Sequence, residues 1–169
     1  MKLVVAVHGG DGGQGATVAA VAFDDWDAAE ASRSFTSRVV PVDPPVRSPK
    51  GAAELAGVLQ LLREHALEPE LIVIDGPVHL DAAEKPAWGR QLFDALGGRS
   101  AVIGMSTRTL PGLPAQFEVW RDDEARPLIV TCIGIDLGAA KVRVRTMHGR
   151  RRVPTLMKLA ARLARGGAG

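Results

Sequence analysis

Seven residues, Leu71-Ile72-Val73-Ile74-Asp75-Gly76-Pro77, constrain this chain more than any others. Four apolar residues in a row make a strand buried on both faces, the habit of a central strand in a parallel sheet. Gly76-Pro77 then forces a turn. The carboxylate of Asp75 therefore stands at the carboxyl end of a buried strand, where open α/β sheets bind their ligands. An aspartate there also serves many domains simply by capping the next turn.

The rest of the chain supplies the partners for that strand. Leu3 to His8 reads as a first strand, and the glycine run Gly9 to Gly15 as a turn. Thr17 to Phe23 and Ser34 to Val42 read as a second and third strand. The prolines Pro41, Pro44, Pro45 and Pro49 keep the following loop extended. A helix begins near Gly51, with Leu55, Val58, Leu59 and Leu62 as its apolar face at helical spacing. A second helix runs from Trp88 to Leu96 and stops at Gly97-Gly98. Ala101 to Met105 is a fifth strand. Phe117–Trp120 and Leu128–Cys132 suit edge pairing or a hairpin. Helices follow near Asp136 and over Leu156–Leu163. A strand meander followed by right-handed crossovers predicts one mixed α/β sheet with helices on both faces, the arrangement of ribonuclease H-like domains.

The 169 residues suit a single domain with an unstapled core. With Cys132 as the one cysteine, no intrachain disulfide forms, which points to a reducing cytoplasm. No apolar run reaches membrane-spanning length. The N-terminus reads as a strand and not as a signal peptide.

Charge divides the chain. No acidic residue follows Asp136, whereas nine Lys and Arg do, so the first 136 residues carry −7 against a net charge of +2. Arg150, Arg151, Arg152 and Lys158 lie in this basic end. An asymmetry of this kind points to an anionic partner, with DNA or RNA first on the list. A solvated basic turn and helix gives the same letters.

The first strand followed by Gly13-Gln14-Gly15-Ala16-Thr17 imitates a phosphate loop. That loop needs a lysine to meet the β/γ-phosphates, and Ala16 stands in its place. A glycine-softened hairpin accounts for the same residues.

Several segments together resemble endonuclease V, the metal-dependent DNA-repair nuclease that cuts near deaminated purines. Leu3-Val4-Val5-Ala6-Val7-His8 is similar to its first strand, and Pro41-Val42-Asp43-Pro44-Pro45 to its Pro-Tyr-Ile-Pro-Gly wedge loop. Pro69 to Gly76 resembles its Pro-Asp-Leu-Val-Phe-Val-Asp-Gly strand. Val102 to Leu110 resembles its Ile-Gly-Val-Ala-Lys strand end, and Gly149 to Thr155 its Gly-Tyr-Arg-Leu-Pro-Glu-Pro-Thr ending. The shared order spans Leu3 to about Arg165 and implies an endonuclease V-type fold.

The functional positions depart from the family. Its first catalytic aspartate falls on His8, its glutamate on Gly51 beside Lys50, its lysine on Thr107 and its histidine on Ile135, next to Asp136. The wedge tyrosine falls on Val42, in a chain without tyrosine. Asp75 alone matches a catalytic aspartate. The chain starts at the first strand, without the family's preceding helical segment, and the Pro111–Gln116 loop is short. One aspartate makes a poor magnesium site, and an imidazole at position 8 shifts any surviving site toward zinc or manganese. Val42 is too small to fill the gap left by a flipped base. The resemblance therefore implies a diverged member with lost or weak nuclease activity.

Two rebuilt sites remain open. In one, His8, Asp75 and Asp136 hold a metal, with His8 and Asp75 as its core ligands. In the other, Asp75 orients His8 as a general base acting on a small molecule. Asp11, Glu54, His79 and Asp81 are outlying candidates. Asp136 suits a helix cap equally well, and His8 a local hairpin bond. A third possibility is a partner-binding module without chemistry. His65 and His148 read as surface, Cys132 as core, and Trp26, Trp88 and Trp120 as packing residues.

Overall fold

The computed structural model describes residues 1–10, 15–41, 50–121 and 125–166. Its seven strands form one sheet in the order β3-β2-β1-β4-β5-β7-β6. β1 (Lys2–Gly9), β2 (Ala16–Phe23) and β3 (Arg33–Val39) make an antiparallel meander. Helix α1 (Ala52–Glu64) crosses over to β4 (Leu71–Asp75), which lies parallel to β1. Helix α2 (Trp88–Ala95) leads to β5 (Ala101–Ser106), parallel to β4. β6 (Glu118–Val119) and β7 (Leu128–Ile133) add an antiparallel edge. Helices α3 (Leu137–Thr146) and α4 (Thr155–Ala164) close the chain. Among the described residues no helix is long and apolar enough to cross a membrane.

The expected mixed α/β sheet is thus present, and the alternation of the strands explains its two covered faces. Leu3, Val5, Ile72 and Ile74 point to the side packed by α1 and α2. Val4, Ala6, Leu71 and Val73 point to the side packed by α3 and α4. Val4, Ile72, Val73 and Ile74 are fully buried, each contributing about 1.5–3 kcal/mol by leaving water. Asp75 and His8, by the same alternation, belong to the α3/α4 side.

The first helix turns a slightly different face inward from the one its leucines suggest. Gly57, Val58, Leu61 and Leu62 are buried, while Leu55 and Leu59 are only partly so. Gly57 sets the rotation, because a side chain there would collide with Val18 of β2. The third strand ends at Val39, short of the expected Val42. Val42 to Pro45 of the wedge-like loop, like Asp11, lie outside the described residues.

Candidate functional site

Asp75 ends β4 between two neighbours. Its register partner on β5 is Met105, and continuing the β1–β4 register from Val5↔Ile74 brings Ala6 alongside it. The chain then turns away through Gly76, whose N–H donates to the Met105 carbonyl at 2.9 Å. The turn crosses β5 at Gly104 and is anchored on β7, where the Val78 N–H donates to the buried Thr131 hydroxyl at 2.8 Å. Trp88 supports it from beneath, its indole directly under Gly76 and under Gly51 at the start of α1. The Asp75 carboxyl reaches solvent, yet the protein around it strips away enough water to raise its pKa above the ordinary aspartate value. The Arg108 guanidinium pulls weakly the other way.

A cleft of about 370 Å³ opens on this carboxylate. Its floor and wall are Met105, Leu128, Val153, Pro154, Met157 and Ala161. Asp75, Thr107, Lys158, Arg162 and Arg165 supply the polar lining. The three cations recur at i, i+4 and i+7 along α4, which puts them on one stripe of that helix. All three are exposed, and among the described residues none has an ion-pair partner. A groove on the other flank of α4, about 670 Å³, shares Lys158 and Arg162 and adds Glu30, Arg33, Leu159 and Leu163 among small residues.

His8 shares the sheet end with Asp75 without meeting it. It lies two residues beyond the position beside Asp75, about 6–7 Å further along β1. It is exposed, and among the described residues no hydrogen bond joins the two side chains. Asp136 corrects the expectation that it faces them. β7 runs antiparallel to β5, with Ile133 opposite Val102, so the chain leaves β7 at the amino end of the parallel strands. Asp136 and Ile135 stand there, at the far end of the sheet from Asp75. The Asp136 side chain caps α3 by accepting from the Ala139 N–H at 3.2 Å. The element facing Asp75 is α4 instead.

The outlying candidates have local duties. Asp81 accepts from the Lys85 N–H at 3.0 Å. Glu54 sits in the first turn of α1, a helix on the opposite face of the sheet. His79 is buried, with no hydrogen-bond partner for Nε2 among the described residues, and desolvation lowers its pKa. Cys132 is half-buried on β7; burial and the nearby Asp136 charge push its thiol up to about 11. His65 and His148 are exposed, as expected. Trp26 packs edge-on against Phe23 and Trp88 is buried, but Trp120 is half exposed and corrects the packing expectation.

The metal that the resemblance implies needs several hard donors around one point. Among the described residues no three His, Cys, Asp or Glu side chains gather. The cleft beside Asp75 is lined instead by cations, which repel a divalent ion. These residues do not fit a magnesium centre.

The basic turn separates into two kinds of arginine. Arg150 and Arg151 are exposed. Arg152 donates through Nε and Nη2 to the Pro127 carbonyl at 3.0 and 2.8 Å, and through Nη2 to the Thr107 carbonyl, tying the turn to the end of β5. A residue without a sequence signal organises the turn. Arg121 is buried and donates to the carbonyls of Val144 (2.6 Å), Met147 (2.9 Å), Gly149 (2.7 Å) and Arg151 (2.9 Å). Its guanidinium closes the carboxyl end of α3, where carbonyls lack helical partners and positive charge is favoured. Arg162 and Arg165 were legible only as part of the basic end; their spacing with Lys158 was the available signal.

No protein-family model matches the sequence, and no curated protein does. Solved structures match over nearly the whole chain. Endonuclease V from Bacillus subtilis superposes with a TM-score of 0.73 at 18% identity, over 98% of this chain and 78% of that one. Ciona intestinalis endonuclease V, in complex with a 24mer DNA containing an inosine followed by a ribo-adenosine, gives 0.74 at 16% identity, over 98% and 84%. Human ENDOV gives 0.66 at 17% identity, over 98% and 82%.

The chain has the endonuclease V fold. At these identities the likeness extends to the fold, and function is argued from the site.

Proposed function

We propose that this endonuclease V-like chain binds nucleic acid, and that metal-dependent phosphodiester cleavage is lost or weak in it. The observation that carries this reading is the stripe of Lys158, Arg162 and Arg165 facing Asp75 across the cleft. Cleavage of this type needs carboxylates that hold a metal, polarise the phosphate and activate water. Here one carboxylate faces cations, which suit a phosphate directly and a metal poorly. The exposed Arg150 and Arg151 extend the basic surface from the adjacent turn. The DNA carried by the Ciona protein of the same fold supports nucleic acid as the polyanion in question.

Fluorescence anisotropy with labelled single-stranded DNA, duplex DNA and RNA, with and without inosine, tests the reading. Binding should weaken steeply between 50 and 200 mM salt, because each phosphate contact releases counterions. Arg162→Glu should weaken it at least about tenfold, in line with a lost charge-assisted phosphate bond. Incubation of the same strands with magnesium or manganese should give little or no cleavage, and any residual cleavage should vanish in Asp75→Ala. Binding that ignores ionic strength, or vigorous magnesium-dependent cutting, would overturn the proposal.

A further inference from the structure

We propose that the cleft between Asp75 and α4 is a nucleotide site, taking a nucleoside monophosphate group either free or at the end of a strand. The inference rests on the reading of this cleft as a phosphate-binding centre, and it names what the cleft holds.

Its shape and chemistry carry the argument. At about 370 Å³ the cleft falls in the range of small-molecule sites, which are mostly apolar with a few convergent polar groups. A surface that only tracks a phosphate backbone has no need of an apolar wall. Here Met105, Leu128, Pro154 and Met157 back one, and the partly exposed Val153 and Ala161 bring its apolar surface into the cleft.

The polar groups are segregated. Lys158, Arg162 and Arg165 lie together on α4, and Asp75 lies on the strand side. A phosphate monoester carries close to two negative charges and takes several charge-assisted bonds. It is drawn to the α4 stripe and repelled from the carboxylate. Asp75 is then free to accept hydrogen bonds from hydroxyls or base N–H groups, the use that strand-end carboxylates find with ribose in other α/β folds. Bare phosphate engages only the cations, and a nucleoside only the wall and Asp75. A nucleotide engages both sides at once. In the groove on the other flank of α4 the two signs are mixed on the strand side, where Glu30 and Arg33 both line it.

Isothermal titration of the full chain with AMP, GMP, CMP and UMP, with adenosine, and with inorganic phosphate tests the inference. At least one nucleotide should bind at least tenfold more tightly than either adenosine or phosphate. Arg162→Glu, an exposed position whose change should leave the melting temperature unaltered, should weaken nucleotide binding at least tenfold. Asp75→Asn should weaken nucleotide binding while leaving phosphate binding unreduced. Nucleotides that bind no better than phosphate, or an Arg162→Glu protein that binds them normally, would overturn the inference. Competition against 5′-phosphorylated and unphosphorylated oligonucleotides separates the two sources of the group. If strands bind but nucleotides neither bind nor compete, the nucleotide site falls and strand binding stands. If nucleotides bind and strands do not, the site is for the free molecule and strand binding falls.

Discussion

Gly104 of β5 leaves the space that the carbonyl oxygen of Gly76 occupies, and a methyl group on Gly104 would press into that oxygen. The turn after Asp75 thus lies on bare backbone, which fixes where the carboxylate points. Gly104→Ala should destabilise the protein by about 1–3 kcal/mol, as overpacking does in a close-packed core. Urea unfolding measures this. Because the turn must lift to make room, the same variant should lose more ligand affinity at the Asp75 cleft than an equally destabilising change in α2.

Arg121 makes the second prediction. Truncation to alanine strands several carbonyls at the end of α3 without a donor and should cost about 3 kcal/mol, on the scale of hydrogen bonds to a buried charge. Arg121→Lys should recover only part of that, since a single ammonium lacks the planar fork that reaches four carbonyls. Chemical denaturation of the three proteins gives the ranking.

Asp75 gives a prediction with a definite sign. Its pKa is raised in the folded protein by loss of water, so the folded state holds the proton more tightly than the unfolded chain. Stability is therefore lost as pH rises from the unfolded aspartate value through the folded one. Asp75→Asn, which carries no charge at any pH, should melt higher than the parent at neutral pH. The gap should close as pH falls below about 3.9, the ordinary aspartate value. Melting curves of both proteins across acid pH follow the difference.

His79 behaves in the opposite way. Its pKa is lowered by burial, and among the described residues Nε2 has no partner. The unfolded chain takes up the proton more readily, so stability falls as pH drops through about 6.5, the ordinary histidine value. His79→Leu removes the buried unsatisfied nitrogen and should be neutral or stabilising at pH 8. It should be clearly stabilising at pH 5.5. A thermal melt at the two pH values decides it, and a variant that melts lower at both would refute the assignment.

The buried run ending in Asp75 and the meander before it were legible in the sequence because alternation and turn residues act locally. So was the resemblance of the whole order of elements. Direction was harder. Nothing near Cys132 declares that β7 runs antiparallel, and that one fact sends Asp136 to the other end of the sheet. Register was equally silent: His8 overshoots Asp75 by two residues because β1 continues where β4 turns at Gly76. The α4 stripe was written in the spacing of Lys158, Arg162 and Arg165, but only the packing of α4 over β1 and β2 turns that stripe toward the cleft. Arg121 had no local mark at all, since its acceptors lie more than twenty residues away.

The turn from Val144 to Arg151 is held by one guanidinium that grips its main-chain oxygens. Such a clamp holds the main chain without calling on the exposed side chains of Arg150 and Arg151. Positions 150 and 151 can then trade charge for neutrality, or gain bulk, without disturbing the scaffold beneath. Selection on what the surface touches is thereby uncoupled from selection on whether the domain folds.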